Sequence, residues 1–368
     1  MIREQDEGNR HDGRDQSGRR PRRLQAMRAG NLRILALGSE PEGEALARQF
    51  LRQGWNLRRT SHFLALQRQE KGLERILVHW LKSEESDNRL VDYLQQELVR
   101  IGWLEGEEDF NAALNGLIAS FAPTAPLEAW RRFALNTFAQ LSKLIAPAPP
   151  TTVAPIKDKD SGESIAAFAA IYRRLLTLLQ GSSLLDVGCA CAYWPLLVAQ
   201  GGQCAPRSIV AVDRRAEALR LSLLLSEALG LTDRLHFMQL DLLQPEFLGL
   251  GAFDTVTAIH LLEHLEENEL PHALDQLLHV TRRRLLIVVP YEERAQECYG
   301  HRQIFSTAKL QFWGQWCLDR LEGRASYWCE DLLGGLLVIE RFEGPDSQEP
   351  VEARGQQGQG AESLAGSC

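Results

Sequence analysis

Between residues 164 and 343 the chain repeats one pattern: a short run of nearly unbroken apolar residues, then a longer stretch whose apolar residues recur every three or four. The short runs are SLLDV (183–187), SIVAV (208–212), RLHFMQ (234–239), DTVTAI (254–259) and RLLIVVP (284–290). Strands apolar on both sides are covered on both sides, and strands joined through helices run parallel, so the pattern predicts a doubly wound α/β sheet. The helices between them agree. ESIAAFAAIYRRLLTLLQ places Phe168, Ile171, Tyr172, Leu175, Leu178 and Leu179 on one face, and ELPHALDQLLHVTR does the same with Leu270, Ala273, Leu274, Leu277 and Leu278. After a helix capped by Ser306, RASYWC (324–329) and GGLLVIERF (334–342) lie close enough to form a hairpin, which makes the sheet seven-stranded with an antiparallel edge.

A smaller α+β domain is expected over 31–145. It opens with a strand in RILALG (33–38) and a helix in SEPEGEALARQFLRQG (39–54), where Ser39 and Glu42 have capping-box spacing and Gly54 can close the helix. HFLALQRQEKGLERILVHWL (62–81) reads as two strands around Gly72. Three amphipathic helices follow, in NRLVDYLQQELVRIGW, DFNAALNGLIASF and PLEAWRRFALNTFAQLSKLI. Nothing there carries chemistry, so a role in covering substrate or in interaction is expected. APAPPTTVAP (146–155), with four prolines, predicts a linker to the domain at 156–343. Residues 1–30 and 344–368 are polar and predict disordered tails.

The net charge of −8 argues against a general nucleic-acid binder, which needs a basic excess to neutralise phosphates. Seven cysteines without a CxxC pair suggest neither a disulfide framework nor a zinc knuckle, and no metal is expected. A reducing cytoplasm fits this usage. No apolar run reaches the roughly 20 residues that span a bilayer, and MIREQDEGNR lacks a signal-peptide core, so no membrane partner is expected.

In a doubly wound sheet ligands bind at the carboxyl ends of the strands, and acids stand at those ends here. Asp186 closes the first strand, Asp213 the second, and Asp241 follows the third. A carboxylate after strand two can accept from a ribose diol, and one after strand three can take an adenine amino group. Together they describe an adenosine pocket. A dinucleotide would need backbone to approach phosphate at position 193, where Tyr193 stands. S-adenosylmethionine has no phosphate and makes no such demand.

LLDVGCACAYWP, IVAVD, LDLL, FDTVTAIHLLEHL and LLIVVP, in this order, resemble the successive motifs of class I S-adenosylmethionine-dependent methyltransferases over about 156–343. The resemblance implies a Rossmann-like fold and S-adenosylmethionine as cofactor. Its first motif, acid-x-G-x-G-x-G, matches at Asp186 and Gly188, but Ala190 and Ala192 occupy the later glycine positions. If either alanine needs a positive φ it costs on the order of 1 kcal/mol. The resemblance further places ribose at Asp213, adenine at Asp241 with the neighbouring Leu242 amide, and cofactor at His260, where HLLEHL matches the family's segment after strand four. Cys189 and Cys191 read as small buried loop residues. Fragments of the N-terminal helices, AWRRFALNTFAQL above all, also resemble oligosaccharide methyltransferases linked to mycofactocin.

The implied activity is methylation of a small molecule or glycan, with oxygen as the expected acceptor atom. In-line methyl transfer asks mainly for alignment, plus a base when the acceptor is a hydroxyl. Candidate bases are His260, His264 and His301, with Tyr291 and Glu292 beside them and Tyr299 and Phe305 as pocket walls or core aromatics. Two alternatives stand beside this reading. Ala190 and Ala192 are what a degenerate, non-catalytic binding module would show. HLLEH spells H-x-x-E-H, a zinc-hydrolase pattern that needs both histidines on one helical face, whereas His260 directly follows a strand.

Overall fold

The computed structural model describes residues 26–29, 31–70, 72–146, 164–202 and 205–342. The expected linker, apart from Ala146, and the expected C-terminal tail lie outside these residues. So does the N-terminal tail up to residue 25. Its last residues behave differently: β1 (Ala26–Ala29) pairs antiparallel with β2 (Leu32–Ala36), and Met27 packs on the core beneath.

The first sheet adds α1 (Glu40–Arg52), β3 (Asn56–Arg59), β4 (Phe63–Gln69) and β5 (Leu73–His79), in the order β1-β2-β5-β4-β3. Side chains alternate across it. Leu64, Leu66, Ile76 and Val78 face α1 and Trp55, while Phe63, Ala65 and Leu77 face the helices that follow. With both faces covered, the strands read as unbroken apolar runs. The expected capping box is not formed. Ser39 makes no side-chain cap, and Glu42 accepts instead from the Gly38 N–H, 3.1 Å.

Next come α2 (Arg89–Leu94), running into a π-helical turn at Gln95–Val99, then α3 (Gly106–Ser120) and α4 (Pro126–Ile145). Helix α4 is shared. Ala129 and Phe133 pack in the core of the first sheet, whereas Ala134, Phe138 and Leu141 pack in the core of the second.

The second part alternates as expected: α5 (Ser164–Leu176), β6 (Ser183–Val187), α6 (Tyr193–Ala199), β7 (Ser208–Asp213), α7 (Ala216–Leu229), β8 (Leu235–Gln239), β9 (Phe253–Ile259), α8 (Leu270–His279), β10 (Thr281–Val289), α9 (Thr307–Arg320), β11 (Ala325–Asp331) and β12 (Gly335–Arg341). The seven strands lie in the order β11-β12-β10-β9-β6-β7-β8, parallel except for the β11–β12 hairpin, whose β12 runs antiparallel to β10. One face, with Leu184, Ile209, Leu286 and Val338, is covered by α4 to α7; the other, with Leu185, Val210, Val256 and Ile287, by α8 and α9. Ser306 caps α9 by accepting from the Lys309 N–H, 3.2 Å. Among the described residues no helix is long and apolar enough to cross a membrane.

Candidate active site

Between β6 and α6 the chain turns through a loop in which every second residue is left-handed: Gly188 (φ 74°), Ala190 (φ 46°) and Ala192 (φ 54°). Glycine is favoured at 188 by its left-handed backbone, and a Cβ there would also displace the Leu261 side chain, 2.8 Å away at Cδ1. The two alanines hold the same backbone region at about 1–2 kcal/mol each. Neighbours fix them there. The Ala190 N–H donates to Asp213 Oδ2 (2.9 Å) and its carbonyl accepts from Ser222 Oγ (2.9 Å). The Gly188 and Cys189 N–H groups donate to the Val212 carbonyl, at 2.8 and 3.0 Å. The loop thus keeps the backbone course that its glycine-poor sequence put in question, which removes the ground for reading it as broken.

Asp213 is buried, and its second oxygen accepts from the Arg215 N–H at 2.9 Å and Nε at 3.3 Å. Asp241 accepts from the Leu243 N–H at 2.9 Å, and the Leu242 side chain is buried in the core. These three stand at the ends of β7 and β8 and do not line the cavity of about 220 Å³ that gathers the other expected cofactor residues. Asp186, Gly188, Ala190 and His260 all line it, with Cys191 and Tyr193.

Asp186 is 3% exposed and accepts from Thr257 Oγ1 at 2.7 Å. Desolvation outweighs that bond and pushes its carboxyl up to about 7. His260 is left-handed (φ 49°), its N–H donating to the Val288 carbonyl at 2.9 Å. Its ring lies edge-on to Phe168, and its Nδ1 stands 3.1 Å from Glu263 Oε1. Because a carboxylate only accepts, Nδ1 carries the proton and Nε2 the lone pair. Burial also pushes both loop thiols up, Cys191 to about 11.

His264 and His301, expected as candidate bases, are not among the residues lining this cavity. Glu263 and His264 sit on a 3₁₀ turn, Leu262–His264, and the Glu263 side chain is fully buried. His264 Nδ1 is 3.3 Å from the Gly300 carbonyl, and His301 Nδ1 is 2.9 Å from Glu292 Oε2. The two rings meet edge to face at 4.9 Å, and burial holds His264 below its ordinary pKa. One donor atom from each of Glu263, His264 and His301 lies within 4.8 Å of the others, a spacing that could hold a metal ion. The H-x-x-E-H zinc reading fails, since His260 directly follows β9 in a left-handed turn, off any helix shared with His264, and its ring is occupied with Glu263. Tyr299 packs on Phe110 and Phe305 is buried in the core below α9, so neither walls the cavity. Tyr291 likewise turns toward Gly335 and Leu310.

Several lining residues carried no functional signal in the sequence, among them Asn88, Thr137, Leu141 and Phe168. They reach the cavity from α4, α5 and the start of α2, where no motif marks them. Glu263 was hidden in plain view as the acid of HLLEH.

Residues 184–284, from β6 into β10, match the family model described as a methyltransferase domain. This stretch of the chain thus carries a methyltransferase domain. A search of curated proteins gives no sequence match. Solved structures similar to it include the methyltransferase domain of bacterial CtHen1 (18% identity, TM-score 0.38, 47% of this chain and 99% of that one). Another is magnesium protoporphyrin IX methyltransferase from Synechocystis PCC 6803 with bound cofactor (17%, TM-score 0.38, 55% and 90%). A third is the cyclase SpnF (16%, TM-score 0.39, 58% and 97%). None of these likenesses bears on what this chain methylates.

Proposed function

We propose that this methyltransferase transfers its methyl group to a hydroxyl of a small molecule or glycan, with His260 as the base. The observation that carries the reading is the His260–Glu263 pair: a buried carboxylate holds Nδ1, leaving the Nε2 lone pair on a ring that lines the cavity beside Asp186 and Gly188. S-adenosylmethionine supplies an electrophilic methyl on its sulfonium. The residues present fit it. Asp186, a buried carboxylate with one hydroxyl partner, suits a cationic ligand, because a positive charge would stabilise the ionised form that burial disfavours. The left-handed loop admits close approach of the methionine end, and Asp213, Asp241 and the Leu242 amide are assigned the adenosine. His260 would take the acceptor hydroxyl's proton while the methyl–sulfur bond gives way to the carbon–oxygen bond and the cofactor leaves as the neutral thioether, and Glu263 would stabilise the resulting imidazolium. A cytoplasmic setting is consistent with the five described cysteines, all of which are free.

The test is transfer of labelled methyl to fractionated small-molecule and oligosaccharide extracts. Label is expected in an ether, and His260→Ala should lower turnover about 10²- to 10⁴-fold while cofactor binding by calorimetry persists. Label on nitrogen, or full turnover in His260→Ala, would refute the assignment.

A further inference from the structure

We propose that Glu263, His264 and His301 form a binding site for one divalent first-row transition ion such as manganese, cobalt or zinc. Three independent features converge on it. First, one donor atom of each residue lies within 4.8 Å of the others. An ion at about 2.0–2.2 Å from imidazole nitrogen and carboxylate oxygen holds its ligands about 3–4 Å apart, so small side-chain shifts suffice.

Second, both imidazoles are already set as ligands. His264 Nδ1 is directed at the Gly300 carbonyl and His301 Nδ1 at the Glu292 carboxylate. Each acceptor fixes the proton on Nδ1 and leaves Nε2 as a lone pair. This is the arrangement that orients metal-bound histidines, a carbonyl or carboxylate behind each ring.

Third, Glu263 is fully buried, with Oε1 on His260 and Oε2 without any partner. A buried carboxylate oxygen lacking a donor is costly unless a proton or cation completes it. Two imidazoles and one carboxylate suit borderline transition ions better than magnesium or calcium, and three protein ligands leave coordination positions open for water or another oxygen. The site does not depend on which acceptor the enzyme uses, and its test does not involve methyl transfer.

The full chain, stripped with a chelator, is titrated with Co²⁺, Mn²⁺ and Zn²⁺, following heat and, for cobalt, the visible ligand-field bands. One ion per chain is expected, with a rise in the melting midpoint. Glu263→Gln and His301→Ala should each weaken binding at least tenfold. Glu292→Gln, which leaves all three ligands in place, should weaken it about 10- to 100-fold and carries the test if a ligand variant fails to fold. His272→Ala and His279→Ala, on the exposed face of α8, should leave it unchanged. Absence of stoichiometric binding, undiminished binding in the cluster variants, or loss in the α8 pair instead would overturn the proposal.

Discussion

The left-handed alanines invite a measurable substitution series. At Ala190 glycine relieves about 1–2 kcal/mol of left-handed strain. It also frees the unfolded chain, which offsets about 0.4–1 kcal/mol. The net expectation is a gain of about 0–1.5 kcal/mol, since this methyl is only half-buried. Ala192 is 0% exposed, so its glycine variant also forfeits about 0.8 kcal/mol of methyl burial and should come out near neutral. Valine at 190 should go the other way. A β-branched residue at φ 46° loses about 1–3 kcal/mol more, while Asp213 and Ser222 hold the backbone in place. Urea unfolding of Ala190→Gly, Ala190→Val and Ala192→Gly reads all three, and cofactor titration reads the loop itself. The order at 190 should be Gly, Ala, Val from most to least stable, and the glycine gain should be larger at 190 than at 192. A loss above 1 kcal/mol for Ala190→Gly, or no penalty for valine, would show that the loop is not strained as described.

Three further outcomes follow from burial. Asp186 has a folded pKa of about 7, above its unfolded value, so the folded state keeps the proton longer and stability falls as pH rises from about 4 to 7; Asp186→Asn should abolish that slope in urea midpoints measured against pH. His79 is pushed down to about 3 by burial, so the unfolded state binds its proton first and stability is lost as pH falls from about 6.5 toward 3; His79→Gln should flatten this opposite slope. Asp254 accepts from the Ser182 and Ser183 N–H groups (2.7 and 3.2 Å) and from Arg282 (2.9 Å), so Asp254→Ala should cost about 2–4 kcal/mol by chemical unfolding, with cofactor affinity unchanged.

The large sheet was legible because its central strands β6, β7, β9 and β10 are buried on both sides and most of its crossovers are helices, so period and order carry the topology. Strands β1 and β3 were not. They are four residues long and sit at the sheet's edges, where AMRA and NLRR keep too little apolar surface to stand out. Of the site, Asp186, Gly188, Ala190 and His260 were readable from motif spacing and do meet in one cavity. Spacing could say less about Ala190 and Ala192, since only backbone angles show that alanine occupies a glycine's conformation. The pairing of His301 with Glu292, and of His260 with Glu263, depends on how each connection folds back on itself. That is information a linear pattern does not hold.

Helix α4 has a consequence for how the molecule comes apart. At 20 residues it is about 30 Å long, and its two halves are buried in different cores while Thr137 and Leu141 wall the cavity. Neither sheet can shed it and stay closed. Heating should therefore give one calorimetric transition spanning both parts, and a fragment beginning at Ser164 should melt early. In this chain cooperativity is set by a helix that belongs to neither half alone.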